Sequence, residues 1–130
     1  MDKITVAVPC YNEEPVLELF FKEITAVAAK MPQAEFEFLF IDDGSRDGTL
    51  SKILELSDRD SRVKYISFSR NFGKEAGIYA GLENASGDYV VIMDADLQDP
   101  PALLPEMYRA VTQEGYDCVG SRRVTRKGEP

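Results

Sequence analysis

The 130-residue chain contains no histidine. That absence sets aside Ser-His-Asp and Cys-His nucleophilic machinery and the commonest zinc ligand, so any general base in the chain is expected to be Asp or Glu. Cysteine is scarce. Cys10 and Cys118 stand far outside a Cys-x-x-Cys spacing, which fits buried, reduced thiols of a cytosolic protein better than a disulfide framework. Positive charge is also in short supply: 15 Lys and Arg face 23 Asp and Glu, a formal charge of −8. Nucleic acid is therefore not an expected partner, because phosphate-backbone affinity depends on basic side chains displacing counterions. No stretch approaches the roughly 18 apolar residues of a membrane span. Met1-Asp2-Lys3 passes directly into Ile4-Thr5-Val6-Ala7-Val8, which reads as a strand rather than the apolar core of a signal peptide. Neither Gly-x-x-x-x-Gly-Lys-Ser/Thr nor Gly-x-Gly-x-x-Gly occurs, so the phosphate cradles of P-loop enzymes and dinucleotide dehydrogenases are missing.

What is present suits one α/β domain, with 44% apolar residues and enough length to bury roughly two thirds of the unfolded surface. Apolar runs at 4–8, 36–41, 63–68, 88–93 and 116–119 alternate with segments of helical spacing. This predicts five strands and four helices, in a mostly parallel sheet with helices on both faces. The first helix is expected to start at Glu14-Pro15, run through Leu17, Phe20, Phe21, Ile24 and Val27, and stop at Met31-Pro32. A second follows Asp47-Gly48-Thr49, with Asp47 or Thr49 available as its cap. The third runs from about Gly73 to Asn84, and its Gly77, Ala80 and Gly81 form a thin face suited to close backbone packing. The fourth begins at Pro100-Pro101 and continues through Leu103, Leu104, Met107 and Val111. Residues 1–121 read as one domain. Residues 122–130, with Arg122, Arg123, Arg126 and Lys127 and no apolar period, read as a basic loop cut short.

Two acidic clusters, Asp42-Asp43-Gly44-Ser45 and Asp94-Ala95-Asp96, sit where apolar runs end. Carboxylates crowded on one sheet edge raise each other's pKa, and the arrangement is costly unless a cation or hydrogen-bonding ligand holds the charged forms. In open parallel sheets, ligands bind beyond the carboxyl ends of the strands. Four polar turns fall there: Pro9-Cys10-Tyr11-Asn12-Glu13-Glu14, Asp42 to Ser45, Ser69-Arg70-Asn71-Phe72-Gly73-Lys74, and Asp94 to Gln98. Together they suit a nucleoside diphosphate. Asp96 and Asp94, with Gln98 as a neutral oxygen donor, match Mg²⁺ or Mn²⁺ held by one or two carboxylates and completed by phosphates. Asp43 can accept from a base N–H, Tyr11 can stack on the base, and Glu13 or Asp94 can accept from ribose hydroxyls. Blander readings stand beside these. Tyr11 also fits an ordinary packed aromatic, Arg70 and Lys74 fit solvated bases at a helix start, and Asp42 to Ser45 fits a turn that caps the next helix, which is compatible with Asp42 structural and Asp43 binding.

The strings Val8-Pro9-Cys10-Tyr11-Asn12-Glu13-Glu14, Ile41-Asp42-Asp43-Gly44-Ser45, Ser69-Arg70-Asn71-Phe72-Gly73-Lys74 and Met93-Asp94-Ala95-Asp96-Leu97-Gln98-Asp99-Pro100-Pro101 together resemble the family 2 glycosyltransferases. Their subgroup of polyprenyl-phosphate sugar transferases is the nearest in pattern, over residues 3 to about 123. The resemblance implies a GT-A nucleotide-sugar fold, a UDP- or GDP-sugar donor, Mg²⁺ or Mn²⁺, inversion at the anomeric carbon, and a lipid phosphate (undecaprenyl or dolichyl) as acceptor. It makes Pro9, Tyr11, Glu13 and Asp43 nucleoside contacts, and assigns Arg70, Lys74, Asp94 and Arg122 to the nucleotide sugar. Asp94 and Asp96 become catalytic residues and, with Gln98, metal ligands. Acceptor-side residues and membrane helices are expected beyond Pro130, which would place the whole protein at the cytoplasmic face of a membrane. Three other readings compete: a nucleotide-sugar-binding fragment without turnover, a transferase with a saccharide acceptor, and a phosphorylation-receiver module. Receiver modules carry their acidic pair after strand one and a lysine after strand five. Here the pair follows strand two, and Gly120-Ser121-Arg122 follows strand five.

Overall fold

Strand β1 (Asp2–Cys10) is the centre of the architecture, and its period-2 alternation separates two cores: Ile4, Val6, Val8 and Cys10 enter the larger one, Ala7 the smaller. These features come from a computed structural model that describes residues 1–98 and 100–113 and the backbone of 124–126. After β1 follow α1 (Glu14–Ala29), β2 (Ala34–Asp42), α2 (Thr49–Arg59), β3 (Val63–Ser67), α3 (Lys74–Asn84) and β4 (Tyr89–Ile92). A single 3-10 turn (Pro101–Leu103) leads into α4 (Leu104–Gln113), and β5 is Val124–Arg126. The strand order is β3-β2-β1-β4-β5, parallel throughout except for β5, which runs antiparallel to β4. The expected mostly parallel α/β sheet is thus present, with helices on both faces. Among the described residues no helix is long and apolar enough to cross a membrane.

The larger core joins Val6, Val8, Phe38 and Phe40 to α1 (Leu17, Phe20, Ile24), α2 (Ile53, Leu56) and α4 (Leu104, Met107). On the other face α3 packs alone among the described helices, with Ile78, Ala80 and Leu82 against Ala7, Leu39, Ile41, Val90 and Ile92. The thin side of α3 is what brings it close. A Cβ at Gly81 would stand 3.1 Å from Ala7 Cβ and 3.2 Å from Ile41 Cδ1, so even alanine would push the helix outward.

One expectation is overturned. Val124–Arg126, in the stretch read as a loop, forms an edge strand pairing Val124 with Val91, Thr125 with Val90 and Arg126 with Tyr89. An exposed strand edge offers unpaired N–H and C=O groups, and the β-branched pair Val124-Thr125 suits the pleat. Three residues are too few to show an alternating period, which is why the sequence pattern missed them. The strand expected at 116–119 and Cys118 lie outside the described residues.

At the edge of the sheet away from the turns described below, Glu37 is buried and accepts from Thr5 Oγ1 (2.8 Å), Ser86 N–H (3.0 Å) and Ser86 Oγ (2.7 Å). Burial alone would raise its pKa. The Ser86 and Thr5 hydrogen bonds and the Lys3 charge outweigh burial and hold the carboxyl below the ordinary range.

Candidate active site

The turns after β1 and β2 cap each other's helices. Glu13, at the start of α1, makes no side-chain cap of its own. Its N–H instead donates to Thr49 Oγ1 (2.8 Å), and that of Glu14 to Asp47 Oδ2 (3.3 Å). Glu14 Oε1 in turn accepts from Gly48 N–H (2.9 Å), ahead of α2. Asp47, one residue before the Gly48 N-cap, also accepts from Thr49 N–H (2.9 Å) at the start of α2, while the Thr49 hydroxyl serves α1. Asn12 adopts φ +54, a left-handed conformation asparagine tolerates. Its N–H reaches Ser45 Oγ (2.9 Å) and its Oδ1 accepts from Arg46 N–H (2.8 Å). This lacing satisfies orphan helix-end donors and fixes the backbone on either side of Tyr11 and Glu13.

Asp42 is buried and accepts from Ser45 N–H at 3.2 Å, the turn role expected of it. Asp43, also buried, holds the turn that leads into α3. Oδ1 accepts from Phe72 N–H (2.7 Å), and Oδ2 from Gly73 N–H (3.0 Å) and Asn71 Nδ2 (3.2 Å). A carboxylate offers about four lone-pair positions, so capacity for one further donor remains. Gly44 permits this approach. Its φ is +68, and a Cβ there would stand 2.5 Å from Asn71 N and closer still to the Arg70 carbonyl carbon.

Between these turns and the first turn of α3 lies a cleft of about 400 Å³. Pro9, Tyr11, Glu13 and Asp43 line it from β1 and β2, facing Lys74, Asp94, Asp96 and Gln98. Tyr11 is 42% exposed, a rim residue rather than a packed core aromatic. Arg70 does not line the cleft; its guanidinium lies 4.7 Å from the Phe72 ring centroid. Arg122 lies outside the described residues. Sequence reasoning did not assign Cys10, Asn71, Gly73 or Gly77 to the lining. The signal for Gly77 was the thin face of α3, and for Asn71 and Gly73 it was their place in the Ser69 to Lys74 string.

The crowding of carboxylates is real. Burial raises the pKa of Glu13, the charges of Asp96, Asp94 and Asp47 raise it further, and Lys74 opposes them. Lys74 Nζ lies 2.8 Å from Asp94 Oδ1. Asp96 is exposed and accepts from Gln98 N–H at 3.2 Å, across Leu97 at φ +62, whose side chain packs on the larger core. Cys10 is buried, and burial followed by Glu13, Asp42 and Asp94 pushes its thiol well up, which keeps it neutral and unreactive. Among the described residues no three His, Cys, Asp or Glu side chains converge tightly enough to cage a metal. The oxygen donors Asp94, Asp96 and Gln98 instead fit a hard divalent cation whose shell is completed by a ligand's phosphates.

A mostly parallel sheet with acidic turns gathered at its carboxyl edge is an α/β fold of the GT-A type. The chain belongs to glycosyl transferase family 2, whose sequence pattern matches residues 5–130. This excludes the receiver-module reading. The chain is 43% identical over 124 residues to the bactoprenol glucosyl transferase of Shigella phage SfV, covering 95% of this chain and 40% of that protein. It is 39% identical over 128 residues to the undecaprenyl-phosphate 4-deoxy-4-formamido-L-arabinose transferase of Proteus mirabilis, covering 98% and 39%. In structure it resembles the mannosyltransferase PcManGT of Pyrobaculum calidifontis, solved with GDP-Man and Mn²⁺, with a TM-score of 0.75 and 26% identity over 91% of this chain and 35% of that one. The chain thus spans about two fifths of the length of the curated relatives it matches.

Proposed function

We propose that the protein carrying this chain transfers a hexose, with inversion, from a UDP- or GDP-sugar to a polyprenyl phosphate at the cytoplasmic face of a membrane, using Mg²⁺ or Mn²⁺. The observation that carries the reading is the convergence of Tyr11, Glu13, Asp43, Asp94, Asp96 and Gln98 on one cleft at the carboxyl edge of the sheet. Tyr11 and Pro9 pack on the nucleoside, the remaining acceptor capacity of Asp43 takes a base N–H, and Glu13 accepts from the ribose. Asp94, Asp96 and Gln98 hold the divalent cation. When bound, that cation offsets charge on the diphosphate leaving group. The names of the phage and Proteus relatives, a bactoprenol and an undecaprenyl-phosphate transferase, favour a lipid phosphate over a saccharide acceptor. A phosphate oxygen is already anionic near neutral pH, so its attack depends on positioning and charge stabilisation more than on a base.

Calorimetry of this chain with UDP and with GDP, with and without Mn²⁺, tests the donor half. Metal-dependent binding of one of the two is expected, and the proposal fails if neither shows it.

A further inference from the structure

Lys74 is the first residue of α3, and the backbone just before it is immobilised: the N–H groups of Phe72 and Gly73 both end on Asp43, at 2.7 and 3.0 Å. From that anchored point its ammonium lies 2.8 Å from Asp94 Oδ1. Two features distinguish this pair from an ordinary surface ion pair, which contributes only about 0–1 kcal/mol. Its acid is largely shielded, with the Asp94 side chain 15% exposed, whereas the Lys74 side chain is 59% exposed and has room to swing. Both residues also line the cleft, so the oxygen that Lys74 holds is one a divalent cation would take.

We infer that Lys74 is a positioning residue, a built-in counter-cation that makes divalent-metal binding at Asp94 conditional on a diphosphate. This rests on the donor-binding reading above. With its ammonium on Asp94, Lys74 repels a bare dication and competes for the same oxygen. A cation arriving with a diphosphate brings anionic oxygens, and Lys74 can leave Asp94 for them without losing a charged partner. The site thereby rejects metal alone and accepts the metal–diphosphate pair.

The test is Mn²⁺ binding followed by the loss of the free-ion electron paramagnetic resonance signal, in wild type, Lys74→Met and Lys74→Arg, with and without UDP or GDP. Without nucleotide, Lys74→Met is expected to bind Mn²⁺ about tenfold more tightly than wild type, a change of about 1.4 kcal/mol. Lys74→Arg should stay with wild type, which a merely structural effect of the substitution would not produce. With nucleotide present the gap should close or reverse. Equal or weaker Mn²⁺ binding by Lys74→Met overturns the inference. If wild type shows metal-dependent nucleotide binding while Lys74→Met leaves the Mn²⁺ affinity unchanged, only the role of Lys74 falls. If wild type binds neither nucleotide with metal, the donor-binding reading falls as well. Because a substitution can disturb folding, a second measurement uses wild type alone: in the NMR spectrum of ¹³C-dimethylated lysines, the Lys74 resonance should move when Mg²⁺ and nucleotide are added together. No movement counts against the inference.

Discussion

Asp43→Asn changes one atom's chemistry at constant volume, and the structure gives its consequence. The buried Asp43 carboxylate receives three donors, Phe72 N–H on Oδ1 and Gly73 N–H and Asn71 Nδ2 on Oδ2. Asparagine can accept through only one oxygen. If its NH₂ takes the Oδ2 position, Gly73 N–H and Asn71 Nδ2 both face another donor, and flipping the Asn71 amide would turn its oxygen onto the Asp43 carbonyl that Nδ2 now reaches at 3.3 Å. If it takes the Oδ1 position, Phe72 N–H, the shortest of the three bonds, is orphaned. At least one part-buried donor loses its partner, at about 1 kcal/mol because solvent can reach it, and the surviving bonds drop from charge-assisted to neutral strength, about 1 kcal/mol each. The sum is about 3 kcal/mol, a large fraction of the roughly 5–15 kcal/mol that stabilises a typical domain. Urea unfolding gives the total, and amide hydrogen exchange localises it: Phe72 and Gly73 should lose protection while the amides of β1 keep theirs. A loss below about 1 kcal/mol with Phe72 and Gly73 still protected would refute the argument that Asp43 clasps the turn.

Three further outcomes are expected. Gly44→Ala should be destabilising and should weaken nucleotide binding, because its Cβ would collide with the Arg70–Asn71 backbone and because φ +68 is left-handed, a conformation that costs a non-glycine residue about 1–2 kcal/mol; urea midpoints and calorimetry read the two effects. Glu37 has a folded pKa below its usual value of about 4.5, so its stabilisation is present above that value and is lost as pH falls through the lower folded one; Glu37→Gln should flatten the acid limb of the stability–pH curve below pH about 4.5. Glu13 has the opposite sign. Its folded pKa is raised, so the ionised form opposes folding, and Glu13→Gln should raise the urea midpoint at neutral pH but not in acid, where wild-type Glu13 is already protonated.

Most of the fold was legible because parallel strands buried on both faces produce apolar runs that need no tertiary context. Phe38-Leu39-Phe40-Ile41 and Tyr89-Val90-Val91-Ile92 lie within or coincide with β2 and β4, and the helix starting at Glu14-Pro15 begins as expected. The short β5 was not legible, since a strand that pairs three residues with an open edge is determined by that edge rather than by its own pattern. At the site, eight of the residues singled out by sequence line one cleft, because each stands at the carboxyl end of a parallel strand or in the segment that follows it. Arg70 is not among the lining residues: its neighbour Phe72 offers a ring face, and the guanidinium lies 4.7 Å from its centroid. Nor can the sequence reveal that the β1 and β2 turns cap each other's helices, since the partners Glu13 and Thr49 are 36 positions apart.

The expected cost of crowding so many carboxylates also acquires a location. Asp42 is met by Ser45 N–H, Asp43 by three donors, Asp47 by Thr49 N–H and Glu14 N–H, and Asp94 by the Lys74 ammonium. The protein itself therefore offsets much of the repulsion with fixed dipoles and the Lys74 ammonium. What it does not offset falls on Glu13, whose pKa is driven up by burial and then chiefly by Asp96 and Asp94, and on Asp96, which stands at the exposed side of the cleft. A fully self-neutralised cleft would have little to gain from a cation, whereas this one concentrates its excess negative charge between Glu13 and the Asp94-Ala95-Asp96 turn. That places the greatest electrostatic gain from a dication where an attached diphosphate could also draw Lys74 away, so the metal and the donor should bind best as one unit.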